Sequence, residues 1–234
     1  MKLVECVPNF SEGRDKEKIQ AITREIETTA GVKLLDVDPG ESTNRTVVTF
    51  IGLPDAAAEA AFKAIRKAAE LIDMRRHKGA HSRIGATDVC PFVPVSGVTI
   101  EDCVKLAHEF GRRVASELGI PVYFYEEAAL KPERRNLANI RAGEYEGLAE
   151  KLKDPEWAPD CGEPVFPAKS GATVIGAREF LIAYNINLNT RDRKLANESP
   201  STSEKAEGLK GIREEIFFET KPAMRSRFPA GSLM

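Results

Sequence analysis

Three stretches of this chain carry apolar residues at helical spacing on one side only, and this restricts the fold more than any other feature. Ile19, Ile22 and Ile26 recur three and four residues apart, and Ala58, Ala61, Phe62, Ile65 and Ile72 follow a helix start at Pro54. Ile100, Cys103, Ala107, Phe110, Val114 and Leu118 share one side of the stretch Thr99 to Leu118, and Gly119 follows as a stop. A helix with a single apolar side must bury it against another layer. Short runs rich in Val, Ile, Leu and Thr supply that layer, at Leu3 to Val7, Val32 to Asp38, Arg45 to Gly52, Val89 to Val95 and Pro121 to Tyr125.

The order strand, helix, two strands, helix, strand, helix, strand predicts an α+β fold. It is a mixed, largely antiparallel sheet with helices packed on one face. From Glu126 to Ala172 the pattern is irregular, with one short helix predicted at Tyr145 to Leu152 and a Pro/Gly-rich stretch from Pro155 to Gly171. Ala172 to Ala177 and Phe180 to Leu188 read as two more strands. Beyond Asn189, Ser201 to Glu207 is polar, Gly208 to Phe218 is weakly patterned, and the rest reads as an irregular tail.

Lys and Arg total 34 against 36 acids, a net charge of −2 that gives no general attraction for nucleic acid or an anionic membrane. No stretch approaches the roughly 18 apolar residues of a membrane span, and Met1 to Cys6 resembles neither a signal nor a transit peptide. The four cysteines include no Cys-x-x-Cys pair. A soluble protein of the reducing cytoplasm is expected, with no metal.

Chemistry concentrates between Asp73 and Asp88, a loop without apolar periodicity that holds His77 and His81 beside Arg75, Arg76, Lys78 and Arg83. No acid lies between its ends, so it is expected to attract carboxylates or phosphates. His77 and His81 stand four apart, as a metal-binding pair on a helix would, but Gly79 breaks the helix and the cations repel a divalent ion. The same cations are expected to depress a histidine pKa and leave a neutral base at cellular pH. By residue types alone the loop reads equally well as a solvated charged connection. His108 reads as a surface residue.

Two further segments stand out. Asp38, in Asp36 to Arg45, lies between two strands, where it could accept a hydrogen bond from an imidazole N–H, although turn capping by Asp38 and Asn44 is the simpler reading. Gly162, Glu163, Pro164, Val165, Phe166, Pro167, Ala168, Lys169, Ser170 and Gly171 form a loop able to wall a pocket, apolar in the middle and cationic at Lys169, or to act as a plain connector.

Several longer motifs then become recognisable in order: Val4 to Gly13, Asp38 to Val47, Asp73 to Gly85, Asp88 to Phe92, Ile140 to Glu146 and Gly176 to Arg178. They resemble glutamate formimidoyltransferase, which also forms the amino-terminal part of formimidoyltransferase-cyclodeaminase. The resemblance runs from about Leu3 to Asn189, and within it Ala80-His81-Ser82 stands where the family often has Glu-His-Pro.

It implies transfer of a formimino group from N-formimino-L-glutamate to N5 of tetrahydrofolate, a step of histidine degradation and one-carbon metabolism. It also implies two α/β subdomains with folate between them, His81 as the catalytic residue, Asp38 as an acid close to it, and Gly162 to Gly171 as the folate-binding segment. Arg75, Arg76, Lys78, Arg83 and Arg45 are the candidates to meet substrate carboxylates. Residues 1–180 would form the amino-terminal subdomain, and 181–234 the start of a truncated or divergent second one with an irregular tail. Tetrahydrofolate is then a co-substrate, and a homodimer is a possible way to cover apolar sheet surface. The rival expectation is a folate- or carboxylate-binding protein that lost turnover with part of its second subdomain. A nucleic-acid-binding role is disfavoured by the absence of aromatic residues in the cationic loop.

Overall fold

The computed structural model describes residues 1–184 and 212–214. Met1–Phe180 form one compact unit and Leu181–Met234 another. In the first, β1 (Leu3–Cys6) and β2 (Asn9–Phe10) are two pieces of one interrupted strand, each antiparallel to β4 (Arg45–Gly52) on one side and to β5 (Thr87–Ser96) on the other. The interruption falls at Val7-Pro8, where proline has no N–H to give a ladder. β3 (Val32–Gly40) adds an antiparallel edge to β4, while β7 (Thr173–Ala177) joins β5 in parallel and carries β6 (Val122–Glu126), also in parallel. The sheet is therefore mixed, antiparallel on one side and parallel on the other, as the pattern predicts.

The three long helices, α1 (Lys16–Glu27), α2 (Pro54–Leu71) and α3 (Ile100–Leu118), pack on one face. Their apolar sides meet Val4, Cys6, Val48, Phe50, Phe92 and Phe124 in one core. Asp15 caps α1 by accepting from Glu17 N and Lys18 N. Thr99 and Asp102 form a capping box at the start of α3, which ends on left-handed Gly119.

The opposite face is covered at its parallel end, which sequence periodicity does not reveal. There α4 (Leu137–Arg141) and α5 (Glu144–Lys151) bury Ile140, Leu148 and Leu152 against Val89, Tyr123, Tyr125 and Val174. At the antiparallel end the same face presents Arg45, Val47, Thr49 and Ile51, half-buried, while Thr46, Val48, Phe50 and Gly52 point into the helical core.

In the second unit β8 (Ile182–Tyr184) pairs in parallel with β9 (Ile212–Glu214). The remaining expectations beyond Tyr184, including the polar stretch Ser201 to Glu207 and the tail, lie outside the described residues. No described helix is long and apolar enough to cross a membrane.

Candidate functional site

Glycines let the Asp73–Asp88 loop lie directly on the sheet. A Cβ at Gly79 would come within 2.1 Å of the Thr43 carbonyl oxygen, and one at Gly85 within 2.0 Å of the Ala172 oxygen. With that close approach, the loop backbone is pinned on both sides of His81. Ala80 N donates to Ser42 O at 3.2 Å, Tyr145 N to Arg83 O at 2.8 Å, and Ile84 N to Asp88 Oδ1 at 3.0 Å. The far end is tied down by Ser11, whose hydroxyl donates to Gly85 O at 2.7 Å.

His81 is buried, with 3% of its surface exposed. Arg45, at the start of β4, donates from Nη1 to His81 Nε2 at 2.5 Å. A ring nitrogen that accepts carries no proton, so this contact selects the neutral imidazole with its hydrogen on Nδ1. Burial pushes the His81 pKa down to about 4, reinforced by the charges of Arg45 and Arg141 and opposed by Asp88. The expected depression is present, but burial is its first cause. The acting cations come from β4 and α4, not from the loop.

The loop's own cations are largely engaged, contrary to the expectation of an uncompensated positive segment. Arg83 is buried and donates from Nη1 to Glu144 at 2.6 Å and from both terminal nitrogens to Glu146 at 2.8 Å. Its Nε donates to His77 Nδ1 at 3.2 Å, so His77 carries its proton on Nε2 and gives it to Asn44 O at 2.9 Å. Burial, first of all, depresses the His77 pKa too. Arg75 pairs with Asp73 at 2.6 Å and Lys78 with Glu146 at 3.2 Å. The compensating acids lie some sixty residues along the chain on α5, or at the loop's edge, where local sequence gives no sign of them. Arg76 is exposed and has no ion pair among the described residues.

Asp38 pairs with Val47 across the β3–β4 ladder. This puts its exposed side chain on the face that carries Arg45, one diagonal step away. No hydrogen bond joins Asp38 to His81; the observed ring contact is with Arg45, because the loop docks on the Ser42–Asn44 turn at the end of the ladder. The acid that acts on His81 is Asp88, buried completely and paired with Arg141. Both belong to the motifs noted in the sequence, but nothing local links them.

The segment 162–171 divides in two. Lys169 O accepts from Met74 N at 2.9 Å, Ser170 O accepts from Ala86 N at 2.7 Å, and left-handed Gly171 bridges to Gly85. Tyr145 donates its hydroxyl to Ala168 O at 2.6 Å and packs its ring 5.5 Å from Phe166. This second half therefore walls the His81 loop. Lys169 does not supply a cationic pocket end, since its ammonium donates at 2.6 Å to Glu70 O at the end of α2.

Gly162, Glu163, Val165 and Pro167 instead line a cleft of about 680 Å³ beside α3, with His108, Arg112 and Phe124 among its other walls. Pro164 is exposed. His81 is not part of this cleft. His108 is half-buried rather than a plain surface residue, donating to Ala128 O at 2.8 Å and packing on Phe124. All four cysteines are free, and among the described residues no group of three or more His, Cys, Asp or Glu side chains is placed to hold a metal.

Residues 3–178 match the formiminotransferase domain, N-terminal subdomain. The chain is 55% identical to formimidoyltransferase-cyclodeaminase of Gallus gallus, over 94% of this chain and 45% of that protein. It is 48% identical to glutamate formimidoyltransferase of Thermoplasma acidophilum, over 93% of this chain and 73% of that one. With the enzyme of that name from Streptococcus pyogenes the identity is 44%, over 84% and 66%. The chain thus spans less than half the length of the cyclodeaminase-fused relatives it matches. A match across residues 3–178, with relatives 44–55% identical over most of the chain, shows that this chain belongs to the formiminotransferase family through its N-terminal subdomain.

Proposed function

We propose that this chain carries the acid/base centre of a glutamate formimidoyltransferase, which moves a formimino group from N-formimino-L-glutamate to N5 of tetrahydrofolate. The observation that carries the reading is His81, buried and bonded through Nε2 to Arg45, on a loop pinned on both sides. The relatives named glutamate formimidoyltransferase support the choice of reaction.

The chemistry needs one group that takes a proton and later gives it back. As N5 attacks the formimino carbon, a new C–N bond forms and His81 removes the N5 proton. When the bond to the glutamate nitrogen breaks, the same proton goes to that nitrogen and glutamate departs. A histidine with its pKa at about 4 is unprotonated at neutral pH, a weak base until its surroundings change, and a strong acid once protonated.

Nε2 accepts from Arg45 in this structure, so its lone pair must be released before it can act as the base. A substrate carboxylate that draws Arg45 into an ion pair frees Nε2 and offsets the repulsion that holds the ring neutral. This gives Arg45, from among the five cationic candidates, the most direct part in reading substrate; Arg76 is the next, while Arg83 and Arg75 hold the loop together. Asp38 keeps a place as a nearby acid on the same sheet face. The second half of segment 162–171 is the part of the folate-binding stretch closest in bonding to the histidine loop. A cytoplasmic location and a homodimer belong to the same reading.

Calorimetry with tetrahydrofolate on the 234-residue chain, followed by N-formimino-glutamate and a glutamate assay, tests it. Binding with glutamate release is expected; absence of both would overturn the reading.

A further inference from the structure

The site leaves one buried ion pair without a part in the chemistry. Asp88, at the start of β5, is completely buried, and Arg141, at the end of α4, has 11% of its side chain exposed. One carboxylate oxygen of Asp88 accepts from Ile84 N at 3.0 Å, three residues after His81, and the other binds Arg141 Nη2. A carboxylate buried this far from water is costly unless each oxygen is satisfied. A purely structural bond to Ile84 N could be made by a neutral amide without importing two charges. Importing both to hold the loop that carries His81 points to a use beyond that one bond.

Resting on the transferase reading, we propose that Asp88 and Arg141 are positioning residues for His81: Asp88 fixes the loop backbone three residues past the ring, and Arg141 holds Asp88 in place. The charged groups that act on the ring are then Arg45 from β4, Arg141 from α4 and Asp88 from β5, with the Ser82 backbone in its own loop. Arg141 disfavours imidazolium and Asp88 favours it, so the pair sets the ring's basicity through two opposed charges at fixed positions. Tyr145, four residues past Arg141, donates its backbone N–H to Arg83 O at 2.8 Å and so ties the start of α5 to the same loop.

The test needs no substrate. The chain has three histidines, so His81 can be assigned in an NMR titration by comparison with His81→Gln. Arg141→Gln is expected to raise the His81 midpoint by about 1 pH unit, whereas Arg141→Lys, which keeps the charge, leaves it near the parent value. An unchanged midpoint in Arg141→Gln, or an equal rise in both variants, would overturn the proposal. If Arg141→Gln does not fold, Asp88→Asn decides: it keeps an acceptor for Ile84 N, its His81 midpoint is expected to fall below that of the parent, and an unchanged or higher midpoint would overturn the proposal. In transfer assays Arg141→Gln, which releases Asp88 and with it the loop that carries His81, is expected to lower kcat about tenfold with KM little changed, because misplacing the ring costs more than its raised basicity returns. If no chain transfers at all, the function reading fails while the titration still judges the pair.

Discussion

Arg45 donates to Nε2 of His81 at 2.5 Å, an arginine bonded to the imidazole nitrogen on which a base would be expected to act. The contact chooses the tautomer and also covers the lone pair. Removing the guanidinium removes a repulsive charge, so Arg45→Gln is expected to raise the His81 pKa. Burial remains its first cause, so the value should stay below 6.5. Adding glutamate to the parent chain should shift His81 in the same direction if its carboxylate recruits Arg45, and should do nothing in Arg45→Gln. NMR titration of the ring measures both.

His81 also links stability to pH. Its folded pKa, at about 4, lies below the ordinary histidine value of 6.5, so the unfolded chain binds more protons between those limits. Stability from this group is therefore fully present above pH 6.5 and is lost as pH falls toward 4. The loss is on the order of 3 kcal/mol. Urea unfolding at a series of pH values should show that slope, and His81→Gln should be flatter across the same range.

Arg83 and Arg75 look equivalent in sequence and differ in position. Arg83 has 6% of its side chain exposed, between Glu144, Glu146 and His77, whereas Arg75 is 59% exposed beside Asp73. Arg83→Met leaves two carboxylates facing each other and is expected to cost about 2 kcal/mol. The figure stays below that of a fully buried pair because both glutamates reach solvent. Arg75→Ala should cost less than about 0.5 kcal/mol. Thermal or chemical denaturation of the two variants checks the contrast.

Gly79 and Gly119 separate a steric requirement from a conformational one. Gly79→Ala drives a methyl into the Thr43 backbone and is expected to cost about 2–3 kcal/mol and to displace His81. Gly119 has φ of 65° with nothing within 4 Å of an added Cβ, so Gly119→Ala should cost only about 1 kcal/mol. Unfolding midpoints give the costs, and the His81 resonance reports the displacement.

The architecture was legible where chemistry repeats along the chain. Ile19, Ile22 and Ile26, or Phe110 and Val114, face inward because a helix turns every 3.6 residues, and local spacing is enough to see it. Asn9–Phe10 and Leu137–Arg141 were not legible, since a two-residue strand and a five-residue helix are too short for their pattern to repeat twice. The His81 loop stood out by its composition, but its electrostatics could not be read there. The partners of Arg83 and Asp88 lie 61 and 53 residues away, and only the folded chain sets them side by side. Lys169 misled for the same reason: its charge suggested a ligand, and its actual partner is a helix-end carbonyl 99 residues earlier.

The most direct test of the central claim compares the parent chain with His81→Ala in one assay, measuring tetrahydrofolate affinity by calorimetry and glutamate release from N-formimino-glutamate. The expected result is release by the parent and none by the variant, with folate affinity nearly the same in both. Undiminished release by His81→Ala, or parallel loss of release and binding, would contradict the assignment of His81 as the group that carries the proton.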